Sequence, residues 1–124
     1  MPKNVVTLTT RISTKDAHYG GELVAGAKIL ELFGDTATLL LIQQDGTEGL
    51  FRAYQDIEFL APVHAGDFLE IKATLTGVGK TSRQLQFEAV KFVEGSKNSK
   101  KPDKARFLKK PILVAKAKGT CVVK

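Results

Sequence analysis

The stretch that decides the fold is Glu22-Leu23-Val24-Ala25-Gly26-Ala27-Lys28-Ile29-Leu30-Glu31-Leu32-Phe33-Gly34-Asp35-Thr36-Ala37-Thr38-Leu39-Leu40-Leu41-Ile42-Gln43. It carries few strand signals at its start. Leu23, Ala27, Leu30, Gly34, Ala37 and Leu41 recur at helical spacing and predict one apolar or small face. Ala25, Gly26 and Ala27 leave room for a neighbouring backbone. A straight helix of this length spans on the order of 30 Å, about the diameter of a small domain. It is therefore expected at the centre of the fold.

Outward from that helix the signals turn to β. Residues 5–13 precede it as a first strand, with Val6, Leu8, Thr10 and Ile12 on one face by alternation. Residues 15–21 form a polar turn. After the helix, Asp45-Gly46 marks a turn. Strands are expected over 49–60, 68–78, 83–93 and 111–123. Leu69, Ile71, Ala73 and Leu75 share one face of the second of these, and Leu85, Phe87 and Ala89 one face of the third. Residues 94–110 read as a polar lysine-rich loop containing Pro102. Strands in sequence with one segregated helix argue an α+β domain spanning residues 1–124. An antiparallel sheet must bury its apolar face, and this helix is the partner available.

Composition narrows the class of protein. The 124 residues are 43% hydrophobic and 26% charged, as in ordinary globular chains. No apolar run reaches the length of a membrane span, and the start of the chain lacks the apolar core of a signal peptide. Cys121 is the one cysteine, which excludes an intrachain disulfide and a cysteine metal cluster. A cytoplasmic location is expected. Of the net charge of +6, residues 91–124 carry +9 and the rest −3. Such asymmetry suits a polyanion such as coenzyme A or nucleic acid, or simply a solvated loop.

The segments Lys15-Asp16-Ala17-His18-Tyr19-Gly20, Leu23-Val24, Gly26-Ala27 and Gly34-Asp35 resemble the hotdog-fold aminoacyl-CoA ammonia lyases. So do Asp45-Gly46, Leu50-Phe51, Tyr54, Asp56-Ile57-Glu58-Phe59, Ala61-Pro62-Val63 and Gly66-Asp67. The run from Asp45 to Tyr54 is more similar to the 3-aminobutyryl branch than to the β-alanyl branch. The resemblance implies a long central helix wrapped by a five-stranded antiparallel sheet. It also implies reversible removal of ammonia from a short β-aminoacyl-CoA, giving an enoyl-CoA. The nearest rival is an acyl-CoA thioesterase on the same fold. A non-catalytic module binding acyl-CoA or nucleic acid is a further alternative. Hotdog proteins similar to this chain pair through an exposed sheet edge. A homodimer, or a tetramer or hexamer built from it, is therefore expected, with the site between chains.

Elimination of ammonia needs a base beside the thioester carbonyl, donors for the developing oxyanion, and a proton for the leaving nitrogen. Carboxylate, imidazole and backbone N–H groups supply all three. No metal and no cofactor beyond the coenzyme A of the substrate is expected. The resemblance points to Asp35 as base. Asp16 and His18 stand before the helix, near the positive end of its dipole. The N–H groups from Gly20 and Gly21 to Leu23 are candidates for the oxyanion hole, and His18 for the proton relay. The bland alternative has Asp16 capping the turn with His18 packed beside it. Tyr19 orients substrate or staples the turn as a buried aromatic. Asp45 and Glu48 are candidates for the substrate ammonium, although Asp-Gly is also a common turn. Asp56 and Glu58 are expected in cross-strand ion pairs, and His64 on an exposed turn. Gly79, Lys80, Thr81, Ser82 and Arg83 are the candidate turn for the coenzyme A phosphates, against the alternative of a plain polar hairpin. Lys100, Lys101, Lys104 and Arg106 add long-range attraction for an anion.

Overall fold

A computed structural model describes residues 4–123. The first strand, β1 (Val5–Arg11), is followed by a 3-10 turn at Thr14–Asp16 and two short strands, β2 (Ala17–Tyr19) and β3 (Leu23–Val24). Then come the helix α1 (Gly26–Asp45) and four long strands: β4 (Leu50–Phe59), β5 (Phe68–Val78), β6 (Ser82–Glu94) and β7 (Arg106–Val122). The five long strands form one antiparallel sheet in the order β1-β5-β6-β7-β4. The sheet wraps the helix, which is the hotdog architecture. No helix of the described residues is long and apolar enough to cross a membrane.

The helix buries Ile29, Leu32, Phe33, Thr36, Ala37, Leu40 and Leu41. Facing it are Leu69, Ile71, Ala73, Leu85, Phe87 and Ala89, the alternating positions expected from the sequence. Phe33 stacks on Phe87 with centroids 5.1 Å apart, and Phe51 lies 5.8 Å from Phe87. Phe33 and Phe87, both fully buried, each contribute roughly 1.5–3 kcal/mol.

Three expectations are corrected. The helix starts at Gly26 rather than Glu22, because residues 20–24 are spent on a 3-10 turn and β3. Its buried face is rotated from the expected one: Ala27 is exposed, while Ile29, Leu32, Phe33 and Leu40 are buried. A stripe of three or four apolar positions per two turns is wide enough for two neighbouring readings. The last strand begins at Arg106 rather than at Pro111. Pairing with β6 jumps from Lys91↔Ile112 to Val93↔Phe107, so Pro111 sits in an irregular bulge where its missing N–H costs no ladder bond.

Candidate active site

The turn ahead of the helix is built from its first residues. The Ser13 hydroxyl accepts from Lys15 N–H at 3.1 Å, and Asp16 Oδ2 accepts from Ser13 N–H at 3.1 Å, a reciprocal capping box. Asp16 Oδ1 also lies 3.4 Å from Lys28 Nζ, which in turn reaches Glu31 at 2.8 Å. The Glu31 hydrogen bond, opposed by burial and aided by Asp16, holds the Lys28 ammonium above its ordinary pKa. Asp16 thus braces the turn against the first turn of α1. His18 and Tyr19 follow, both exposed, their rings edge to face at 4.6 Å. Tyr19 is 56% exposed and is no buried staple.

Gly20 and Gly21 present backbone with open space before it: a Cβ on either meets nothing within 4 Å. Gly21 (φ 74°) and Glu22 (φ 66°) are both left-handed. For a glutamate this conformation is uncommon and strained. It is held by Ala65 N–H donating to the Glu22 carbonyl at 3.0 Å and Val24 N–H donating to that of Val63 at 2.9 Å.

Asp35 is exposed on α1, about two turns or 10 Å beyond Lys28. The structure therefore brings Asp16 to the helix start but leaves Asp35 farther along the axis of the same chain. Beside Asp35 is Tyr54 of β4, whose hydroxyl donates to the Leu30 carbonyl at 2.8 Å. Burial, with smaller contributions from Cys121 and Asp35, pushes the Tyr54 phenol up to about 12, so it stays a neutral donor at ordinary pH. Between the helix start and the end of β4 lies an apolar cavity of about 360 Å³, walled by Leu23, Gly26, Ile29, Phe59, Leu60 and Val114. The Phe59 ring covers Gly26 so closely that a Cβ there falls 2.6 Å from it.

The other candidates lie elsewhere. Arg83 donates to both oxygens of Asp45, at 3.1 and 2.9 Å. The residue expected to hold an ammonium and the one expected to hold a phosphate are thus each other's partners. Arg83 also donates to the carbonyls of Gly79 (3.0 Å) and Ser82 (2.9 Å), while Lys80 and Thr81 are exposed. Glu48 is exposed beyond the C-terminal end of α1. Asp56 and Glu58 make the expected cross-strand pairs, with Lys118 and Lys116, each at 3.7 Å.

A buried ionic centre was not anticipated. Asp67 accepts from His64 N–H (2.8 Å) and Gly95 N–H (2.9 Å) and lies 3.4 Å from Lys91 Nζ. Lys91 donates to the Pro62 carbonyl at 3.2 Å and approaches Glu94 at 3.5 Å. Glu94 is joined by Lys97 and Arg106, both at 3.3 Å. Burial alone raises the Glu94 carboxyl, but Lys97, Lys91 and Arg106 together hold it below its ordinary value. Extending the alternation Leu85, Phe87, Ala89 to Lys91 is the signal that places this lysine inside. His64, expected on an exposed turn, is half-buried, and its buried Nδ1 has no hydrogen-bond partner among the described residues.

The family model described as the thioesterase superfamily matches residues 21–93, more than half of the chain, and the chain belongs to that superfamily. It is 51% identical over 116 residues to the 3-aminobutyryl-CoA ammonia lyase of Acetoanaerobium sticklandii, covering 94% of this chain and 91% of that one. Among solved structures it is similar to the β-alanyl-CoA:ammonia lyase from Clostridium propionicum. The TM-score is 0.93 at 37% identity, covering 99% of this chain and 87% of that one. These two similarities narrow the family to the aminoacyl-CoA ammonia lyases. An acyl-CoA hydrolase from Staphylococcus aureus, solved with butyryl coenzyme A, coenzyme A and coenzyme A disulfide, shares the fold. Its TM-score is 0.77 at 15% identity, covering 98% of this chain and 66% of that one.

Proposed function

We propose that this chain eliminates ammonia reversibly from a short β-aminoacyl-CoA such as 3-aminobutyryl-CoA, giving the enoyl-CoA. The observation that carries this reading is the 51% identity with a 3-aminobutyryl-CoA ammonia lyase across 94% of the chain. Asp35 takes the proton beside the thioester carbonyl. The resulting electron pair forms the C=C bond as the C–N bond breaks, and the nitrogen leaves with a proton relayed by His18. Backbone N–H groups around Gly20 and Gly21 receive the developing oxyanion, a role supported by the open space before them. The apolar cavity under Phe59 suits the acyl and pantetheine carbons. Because Asp35 stands about 10 Å along the helix beyond Lys28, the residue that the Asp16 turn engages, the working site joins Asp35 of one chain to the turn of a second. Cys121, the one cysteine of the chain, is a buried free thiol, which supports the cytoplasmic location proposed for the protein.

Incubation with crotonyl-CoA and ammonia tests the reaction. Loss of enoyl absorbance without release of free thiol is expected. Free thiol from a saturated acyl-CoA, with no ammonia addition, makes the protein a thioesterase instead.

A further inference from the structure

The turn that offers backbone to the thioester is clamped at both ends by one short segment, residues 62–67. At its entry, Ile12 N–H donates to the Asp67 carbonyl at 2.9 Å, and Gly66 N–H donates to the Ile12 carbonyl at 2.8 Å. At its exit, Ala65 N–H donates to the Glu22 carbonyl, Leu23 bridges to His64, and Val24 N–H donates to the Val63 carbonyl. His18, Gly20 and Gly21 lie between these two clamps. The left-handed backbone of Gly21 and Glu22 lies at the exit clamp. A glutamate keeps that conformation only where surrounding bonds over-determine it. The clamping segment is in turn fixed by a buried charge pair. Asp67 is 1% exposed and Lys91 3%. One Asp67 oxygen accepts from His64 N–H and the other from Gly95 N–H, which ties the segment to the residue just past β6. Lys91 Nζ lies beside this carboxylate and donates to the Pro62 carbonyl, pinning the other end of the segment. An apolar pair of similar volume stabilises a core as well as a buried ion pair does, or better. What the charges add is direction, because a carboxylate met by two fixed N–H groups and an ammonium accepts one placement of the turn.

We infer that Asp67, neutralised by Lys91, is a positioning residue: by fixing residues 62–67 it holds the Gly20 and Gly21 N–H groups where the thioester oxygen meets them. This rests on the reading of that turn as the oxyanion site of an acyl-CoA enzyme. The test compares wild type, the double variant D67N/K91M, the single variant K91M and the control E94Q. Asparagine accepts from one of the two N–H groups and turns a donor toward the other. Methionine removes the bond to Pro62, and the double change leaves neither charge buried alone. The Glu94 side chain pairs with Lys91, Lys97 and Arg106 and with nothing in residues 62–67 among the described residues. Each protein is assayed for ammonia addition to crotonyl-CoA. Each is also saturated, without ammonia, with crotonyl-carba-CoA, a ketone in which a methylene replaces the thioester sulfur, and the bound carbonyl stretch is read by infrared difference spectroscopy. Wild type is expected to lower the stretch from its value in water, and D67N/K91M to return it toward that value. The kcat of the double variant is expected to fall about 10²-fold, the cost of a donor misplaced by about 1 Å, with KM within about twofold. K91M is expected to move both readouts in the same direction by less, and it decides the question if circular dichroism shows the double variant unfolded. E94Q is expected to keep the wild-type stretch and kcat despite its lower Tm. A wild-type stretch in the folded variants overturns the positioning role, and so does an equal displacement in E94Q, which would mark general loosening. If wild type adds no ammonia but the stretch still relaxes in D67N/K91M, the positioning role stands and the lyase reading falls.

Discussion

At the scale of single residues, the acidic candidates divide by what they touch. Asp16 satisfies a backbone N–H and an ammonium. Asp45 is occupied by a guanidinium in a two-point pair. Asp35 is exposed, with a neutral tyrosine as neighbour, and is the carboxylate best able to meet a substrate. Asp35→Asn is therefore expected to lower kcat by about 10²–10⁴ while leaving KM nearly unchanged, the range typical of a lost general base. An exposed helix position tolerates the change within about 0.5 kcal/mol, so circular dichroism and Tm should match wild type. Full turnover in this variant would remove Asp35 from the mechanism. The sequence made Asp35 visible chiefly through resemblance, with the mild disfavour of aspartate in a helix interior as a second, weaker signal. The occupation of Asp45 by Arg83 was invisible, because the two residues are 38 positions apart.

Among the elements, the junction of β6, β7 and the 95–105 loop is held by charge as much as by packing. Glu94 ends β6 and receives Lys91, Lys97 and Arg106. Its carboxyl lies below the ordinary value of 4.5: burial pushes it up, and the three cations outweigh that. A carboxyl depressed on folding adds stability above its unfolded pKa, and that stability is lost as pH falls through the folded value. Glu94→Gln is accordingly expected to cost about 1 kcal/mol at pH 7, a few degrees in Tm. The gap from wild type should close as pH drops below 4.5. Thermal melts across pH check this; an equal gap at both ends of the range would show that the ion pairs contribute nothing. Lys91 was legible as an inward position by alternation with Phe87 and Ala89. Its partner Asp67 was not, because it sits in a turn whose path only the folded chain defines.

For the whole molecule, the sheet ends on one side in β4, which pairs with β7 and leaves its other edge open. Leu50, Ile57, Phe59 and Leu60 are exposed along or just past that strand. An open edge carrying apolar side chains pairs readily with a second copy. Light scattering at micromolar concentration is expected to give a dimer or a higher even-numbered assembly. A monomer under those conditions contradicts a site completed by a second chain.

The sequence by itself determined the class of fold, because period-3.6 and period-2 patterns each bury one face and together admit one helix against one antiparallel sheet. It also carried the family, through short segments spread from Lys15 to Asp67. Tertiary structure decided which helix face is buried, since a wide apolar stripe leaves that rotation open. It decided as well which polar residues neutralise one another. Asp45 meets Arg83 only when the sheet packs against the helix, and Asp67 meets Lys91 only when β5 pairs with β6; ion pairing acts through distance in space, which one-dimensional spacing does not encode.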